Sequence, residues 1–568
     1  MSTEFMKNIL QYKYILFSFT IIWLLAIIIV NPIGNFPLND DWVYARASKA
    51  IAETGKFSLE GGNTSANIIV QSLYGSIFLL PFGFSFTALR ISTLLAGLIG
   101  VYGTFLFYKT CKINNFHSTL GSLLIMFNPL FFGLSFTYMT DVHFYALYIF
   151  SIYFLLSYIN NQKNKSFLVL GIVSTLASIL VRQIGILTIF AFGLLLIYRN
   201  KFKLNAIIVA LISLLLGIIT QLSYEQYLHL VGQSSVNFGL QMYSAKALLL
   251  NNNLIQIAAK IIISTFKMIE LISIFYFPLI FLVYYKLLYN AKRKMKIALA
   301  TFGIAILYIL VIKLFKINVS HLLGNILNYY GIDPITLHDT FIMKINMPHV
   351  YFQLIPVFYL AALFIIFGCI MFTYIMSFKI YVSFKERNYN NLFNILLFLI
   401  ITISLSTFAT IFDRYILALL PLVYPILMSK ESNITHHLSK RESKYTKVML
   451  SIMVFTMSII SILITHDYLS WNRVRWEALN GLVIEKGISP KNIDGGYEFN
   501  GWFLYDKNDK YANSFKPKPY SNKSWWYVHD DKYILSIGHI QGYKIYKEYS
   551  VPVMLPISIN KMYLLERK

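Results

Sequence analysis

Residues 14–30 read YILFSFTIIWLLAIIIV, and residues 38–50 read LNDDWVYARASKA. The first stretch carries no charge and is close to the length that crosses a bilayer as a helix, roughly 20 residues. The second presents two adjacent carboxylates, Asp40 and Asp41, and then a cation, Arg46. A chain written this way leaves a membrane and at once displays ionisable groups.

The rest of the chain extends that pattern. Its 568 residues are 57% hydrophobic and only 13% charged, where a soluble domain carries about 25% charge. Uncharged runs near span length recur throughout, which makes this a polytopic membrane protein. Lys7 and Lys13 before the first run resemble the start of a signal peptide. The run is long for a signal core and no A-x-A-like site follows it, so it reads as a retained span. The net charge of +24 does not point to nucleic acid. Residues 466–568 hold 15 Lys and Arg against 11 Asp and Glu, so +20 of that charge lies earlier, in short clusters between apolar runs. This is the mark of cytoplasmic loops. Cys111 and Cys369 are the two cysteines; one lies at a span end among lysines, the other inside an apolar run, and no disulfide is expected.

Spans are expected near 14–31, 87–108, 117–134, 141–159, 166–181, 184–198, 204–222, 268–286, 296–314, 351–377, 391–411, 413–428 and 447–465. With these, YKTCK, NNQKNK, YRNKFK, NAKRKMK, SFKERN and the lysine-rich stretch at 429–447 all fall on the side of Lys7 and Lys13. Keeping them there requires three decisions. Residues 67–83 lie in the interface instead of crossing. The polar VRQ at 181–183 divides 166–198 into a hairpin, and Asp413-Arg414 divides 391–428. The expected fold is an all-α polytopic membrane protein of about 13 transmembrane helices. Its transmembrane domain covers 1–465, with a first external loop at 32–86. A small α+β extracytoplasmic C-terminal domain covers 466–568. That domain opens with an amphipathic helix, WNRVRWEALNGLVIEKG, followed by β-like runs WWYV, YILSIG, YKIYKEY and KMYLL. The expected location is a plasma (inner) membrane, with the N-terminus cytoplasmic.

Ionisable groups collect where spans emerge on the outer side: Asp40, Asp41 and Arg46, then Asp141 and His143, then Arg182, then Asp413 and Arg414. At membrane depth such groups are costly, and each is a functional candidate. An isolated arginine at a span end is more often a headgroup contact or a partner for an aspartate, and Arg90 reads that way. An adjacent acidic pair can be an ordinary solvated loop. Held against the interface, its two members shift each other's titration and need a partner or a task. The external histidines at 321, 338 and 349 show no ligand spacing.

Several motifs, taken in order, carry a resemblance. After the first span come D-D-W-x-Y-A-x-A, then T-G-x-F, an apolar interfacial stretch and A-L-R; later come F-N-P-L-F-F-G-L-S-F-T-Y-M-T-D-V, R-Q-I-G-I-L and D-R-Y-I-L-A-L-L-P-L. The chain resembles GT-C class membrane glycosyltransferases, in the branch of protein O-mannosyltransferases and bacterial aminoarabinose transferases. N-I-D-G-G-Y-E-F-N-G-W resembles an accessory domain of some bacterial members. The branch usually has Asp-Glu where this chain has Asp40-Asp41. The resemblance implies inverting transfer of a sugar from a polyprenyl-phosphate donor to a lipid, glycan or protein acceptor at the outer face.

On that reading Asp40 is the base and Asp41 its electrostatic or acceptor-positioning partner. Arg182 and Arg414 would meet the donor phosphate, and Arg46 is a further substrate-binding candidate. Asp141 and His143 would bind acceptor or metal. If the acceptor is itself a phosphate or carboxylate, no base is needed and Asp40 orients it or holds a metal. Asp40, Asp41, Asp141 and His143 offer ligands of the kind Mg or Mn accepts. O-mannosyltransferase-like members are understood to work without metal, whereas other GT-C branches need one. A transporter or flippase of lipid-linked sugars is the alternative. A transporter would show inverted repeats and mid-bilayer broken helices, while a flippase would bind the same donor yet tolerate a neutral isostere at Asp40.

Overall fold

The computed structural model describes residues 3–59, 64–233, 246, 250, 253–290, 294–317, 325–328, 331–332, 335–342, 355–408, 411–429, 440–506, 527–556 and 558–568. A short amphipathic helix α1 (Thr3–Gln11) leads into α2 (Lys13–Val30). On α2 the inward residues are Leu16, Phe19, Trp23, Ala26 and Val30, and the side between them leaves Phe17, Leu24 and Ile28 exposed. Spacings of three and four put one stripe against the bundle and the rest toward lipid.

Two short helices of the first external loop follow, α3 (Asp41–Thr54) and α4 (Ile69–Leu79), packed on each other. Leu73, Ile77 and Leu80 remain exposed on and just after α4, as expected of a helix lying at the interface. The core is built on α5 (Phe86–Thr110) and on α8 (Thr140–Asn160), whose apolar windows are 78% and 83% buried. They approach closely because Gly100 and Gly103 face Tyr145 and Ile149; a methyl group on Gly103 would come within 2.7 Å of Ile149.

Between them the expected single span at 117–134 is broken. Helix α6 (Asn115–Met126) and helix α7 (Pro129–Ser135) meet at 61°. The cause is local: Asn128 caps α7 by accepting the Leu130 N–H at 3.1 Å, and Pro129 occupies its first turn. Helices α9 (Lys165–Ile179) and α10 (Ile186–Arg199) are separated at 180–185, as VRQ suggested. Arg182 meets Asp141 at the start of α8, and Arg199 donates to the Ile159 carbonyl at its end, so α10 runs alongside α8 and α9 returns between them.

The remaining helices are α11 (Leu204–Leu230), α12 (Leu254–Asn290), α13 (Lys294–Phe315), α14 (Ile355–Lys385), α15 (Tyr389–Phe408), α16 (Leu420–Met428) and α17 (Lys440–Asn480). Among the described residues nine helices are long and apolar enough to cross a membrane, or ten if the bent pair counts as one span. The shorter α9, α10 and α16 occupy the other expected positions.

The expected boundary at 465/466 falls inside α17, which runs unbroken from the membrane part into the tail. The tail adds helix α18 (Tyr497–Leu504) and four strands, β3 (Ile493–Asp494), β4 (Tyr533–Ser536), β5 (Tyr543–Ser550) and β6 (Lys561–Arg567). A small antiparallel pair, β1 (Leu327–Asn328) and β2 (Gly331–Ile332), lies in the loop before α14. The tail sheet has order β3-β4-β6-β5, with β3 parallel to β4 and the other pairs antiparallel. Three of the four β-like runs are strands; WWYV lies partly outside the described residues.

Candidate active site

The first loop is drawn tight over the bundle. Arg90, buried at 1% exposure, donates to the carbonyls of Pro32, Gly34 and Phe36 at 2.6, 3.1 and 3.0 Å. It therefore partners the loop backbone and takes no part in the acidic cluster. The chain then turns at Asn39, whose φ of 51° is left-handed, a conformation asparagine tolerates. Helix α3 begins immediately after.

The two acids of the pair diverge. Asp41 is buried, and its two oxygens accept the backbone N–H of Tyr138 at 2.7 Å and of Leu38 at 3.2 Å. It ties the α3 start to the turn before α8. Asp40 is only partly buried, does not cap the helix with its side chain, and accepts a hydrogen bond from the Tyr497 hydroxyl at 3.1 Å. Burial raises its pKa above the usual 3.8; the Arg414 charge and the Tyr497 bond pull it back, while Glu498 and Asp141 push it further up. Asp40 thus holds its proton more tightly than an exposed aspartate does.

Asp141, in the first turn of α8, lies between two arginines. Arg182 Nη1 is 3.0 Å from its Oδ1, and Arg414 Nη1 is 3.8 Å from its Oδ2. Arg182 also donates from Nε to the Thr140 hydroxyl at 2.7 Å. The Tyr415 ring lies beside both guanidinium groups, 5.7 and 5.9 Å from ring centroid to guanidinium carbon. Arg414 Nε and Nη1 are buried without a hydrogen-bond partner among the described residues. Buried donors normally have partners. Two such donors on Arg414, with Arg182 held across Asp141, make a ready site for an anionic oxygen.

Asp413, next in sequence, does something else. Its carboxylate accepts the N–H groups of Asn325, Ile326 and Leu327 and so fixes the loop before β1. His143 is buried with its ring edge-on to Tyr74 and Tyr138; Nδ1 lies 3.4 Å from the Met139 carbonyl, and Nε2 has no hydrogen-bond partner among the described residues. Arg46, expected to bind substrate, faces the tail. It donates to the carbonyls of Gly501 and Trp502 at 3.1 and 2.7 Å, with the rings of Trp42, Trp502 and Tyr505 around it. His338 lies 3.8 Å from Asp494, and His321 and His349 lie outside the described residues.

The candidate metal ligands do not converge. Asp41 is committed to two backbone donors, and Asp141 is flanked by two cations that repel a third. Among the described residues no three His, Cys, Asp or Glu side chains gather where Mg or Mn could sit.

Residues that sequence reasoning missed come from the tail. Tyr497 and Glu498 head α18; Glu498 accepts the Asn39 N–H at 3.0 Å, the Thr336 hydroxyl at 2.5 Å and Arg475 Nη2 at 2.7 Å. The tail therefore forms one wall of the site and does not stand apart from it. The signal was present in G-G-Y-E-F-N-G-W, but nothing in the spacing links residue 497 to residue 40.

Asp141, His143 and Arg182, with α4 beside them, lie in one continuous stretch that has a known likeness. Residues 70–224 match the dolichyl-phosphate-mannose-protein mannosyltransferase family. The resemblance to the O-mannosyltransferase branch read from the sequence is borne out. Asp40, Arg414 and Tyr497 lie outside the mannosyltransferase-family stretch and join it in space. No curated protein sequence matches the chain. Among solved structures it is similar to ArnT from Cupriavidus metallidurans bound to undecaprenyl phosphate, at 9% identity and a TM-score of 0.47, over 96% of this chain and 98% of that one. It is also similar to the oligosaccharyltransferase AglB from Archaeoglobus fulgidus in complex with an inhibitory peptide and a dolichol-phosphate. That likeness has 12% identity and a TM-score of 0.39, over 90% and 61% of the two chains. These likenesses are too distant to say what this chain binds.

Proposed function

We propose that the protein is an integral membrane glycosyltransferase that moves a sugar from a polyprenyl-phosphate donor to a lipid, glycan or protein acceptor at the outer face of the membrane, with inversion. The observation that carries this reading is a carboxylate, Asp40, lying in the field of the Arg414 charge beside the Arg182–Asp141–Arg414 cluster. The acceptor hydroxyl gives its proton to Asp40 as its oxygen bonds to the anomeric carbon. The bond from that carbon to the phosphate oxygen breaks, and the phosphate leaves with the electron pair. Arg414 and Arg182 stabilise the growing charge, as preorganised donors do in a site screened from water. Helix α4, with Leu73 and Ile77 exposed at interfacial depth, offers together with α3 a groove for the isoprenoid chain. The lysine-rich loops then face the cytosol, and the tail lies outside.

The test is transfer by the purified protein in proteoliposomes containing an acceptor extract and a radiolabelled polyprenyl-phosphate sugar. Labelled acceptor is expected with that donor and not with a nucleotide sugar lacking a lipid carrier. D40N should retain donor binding and lose transfer by about a hundredfold or more. Movement of labelled donor between leaflets, with transfer absent and D40N indifferent, would establish the flippase reading instead.

A further inference from the structure

A second charged region lies at the opposite end of the bundle. Helix α8 starts at Asp141 and ends at Asn160, so its 21 residues span about 30 Å at 1.5 Å per residue. At its far end is a cavity of about 1290 Å³, lined by the basic residues Lys109, Lys112, Arg199, Lys286, Lys379 and Arg387. Glu386 is the one acid among its described lining residues.

The cations are built in. Lys379, only 3% exposed, donates to the carbonyl and hydroxyl of Ser429 at 2.8 and 3.1 Å. Lys286 donates to the Thr446 hydroxyl at 2.6 Å. Arg199 stacks on the Tyr389 ring, 4.9 Å from its centroid. Lys112 and Arg387 are exposed. Among the described lining residues six cations stand around one acid.

The surroundings identify the kind of anion. Leu282 and Val283 of α12 give the cavity an apolar wall. The same turns of α12 expose Phe281, Tyr285 and Tyr289, a stripe at i, i+4 and i+8, and α14 exposes Tyr381 and Phe384. Exposed tyrosines at a span end mark the headgroup level of a bilayer. The cavity therefore combines fixed cations with an apolar wall at the depth where lipid phosphates lie, and basic pockets between membrane helices take acidic headgroups.

We propose that this cavity binds the phosphate headgroup of an anionic phospholipid from the leaflet opposite the sugar-transfer site. The inference stands whether or not the outer site transfers sugar.

The full-length protein is reconstituted in phosphatidylcholine nanodiscs with and without phosphatidylglycerol, and lipid retained after extraction is counted by native mass spectrometry. Wild-type protein is expected to keep phosphatidylglycerol in preference to phosphatidylcholine. The double variant K112Q/R387Q changes two exposed side chains and should lower that retention at least about tenfold. The variant K163Q/K201Q, exposed lysines of neighbouring loops outside the cavity, should retain it. Equal loss in both variants would reduce the effect to general surface attraction and overturn the proposal. So would absence of preference in the wild type, or displacement of the lipid by millimolar inorganic phosphate, which would assign the cavity to a soluble anion. A thermal-unfolding scan of each variant separates lost binding from lost folding.

Discussion

Two neighbouring aspartates with one residue type have two occupations. Asp41 is consumed by backbone donors, whereas Asp40 accepts from Tyr497 and lies in the field of the Arg414 charge. Because Asp40 titrates above the ordinary aspartate range, the acid limb of a pH–rate profile should lie above that range too. Tyr497→Phe removes a bond that favours the charged form, so this limb should move to still higher pH with activity retained at alkaline pH. An unmoved limb would exclude Asp40 as the titrating base. Linkage gives a second readout. A carboxyl whose folded pKa is raised contributes stability at low pH that is lost as pH rises through that value. D40N should therefore melt no lower than wild type at neutral pH, while its transfer activity is gone. At Arg414 the expectation is different: R414Q should lower kcat by about 10²–10³, the usual cost of removing one preorganised donor, and R414K should recover little of it because the fork geometry is lost. Asp40, Asp141, Arg182 and Arg414 were legible in the sequence because ionisable groups at span ends are costly. Which acid would be spent on backbone, and that Arg46 would face the tail, depends on contacts hundreds of residues apart and left no local pattern.

Helices and turns were more legible than their joints. A charge-free run specifies a span, and VRQ marks the break between α9 and α10 because polar groups belong at its end. The bend at Asn128-Pro129 was written in capping chemistry inside an apolar run, where hydropathy alone is blind. The continuity of α17 was hidden for the opposite reason: polarity rises after residue 465, yet the helical hydrogen bonds continue. Along that helix Arg475 is fully buried and pairs with Glu498 at 2.7 Å while donating to the Gly495 carbonyl. Removing one partner of a buried pair strands the other, at a cost of roughly 3–5 kcal/mol. R475M is accordingly expected to lower the melting temperature sharply and to release α18 from Asn39, read as faster proteolysis after residue 505. The double variant R475M/E498L should regain much of the stability without regaining the activity.

Across the whole molecule, basic residues gather at one end of the helices and the acid–arginine cluster at the other. Fusion of a reporter active only in the cytosol within the Lys163 loop should give signal, and fusion after Lys568 should give none. Signal from both would place the tail, and the candidate site with it, on the inner side. The way α18 closes over Asp40 also bears on how the protein is made. Asp40 leaves the ribosome more than four hundred residues ahead of Tyr497, and the wall that completes its surroundings is made only after α17. A chain made only through α16 thus holds Arg182 and Arg414 but lacks the Tyr497 hydroxyl that bonds Asp40. On the proposed mechanism, products terminated before residue 497 are expected to show no transfer when assayed beside the full chain.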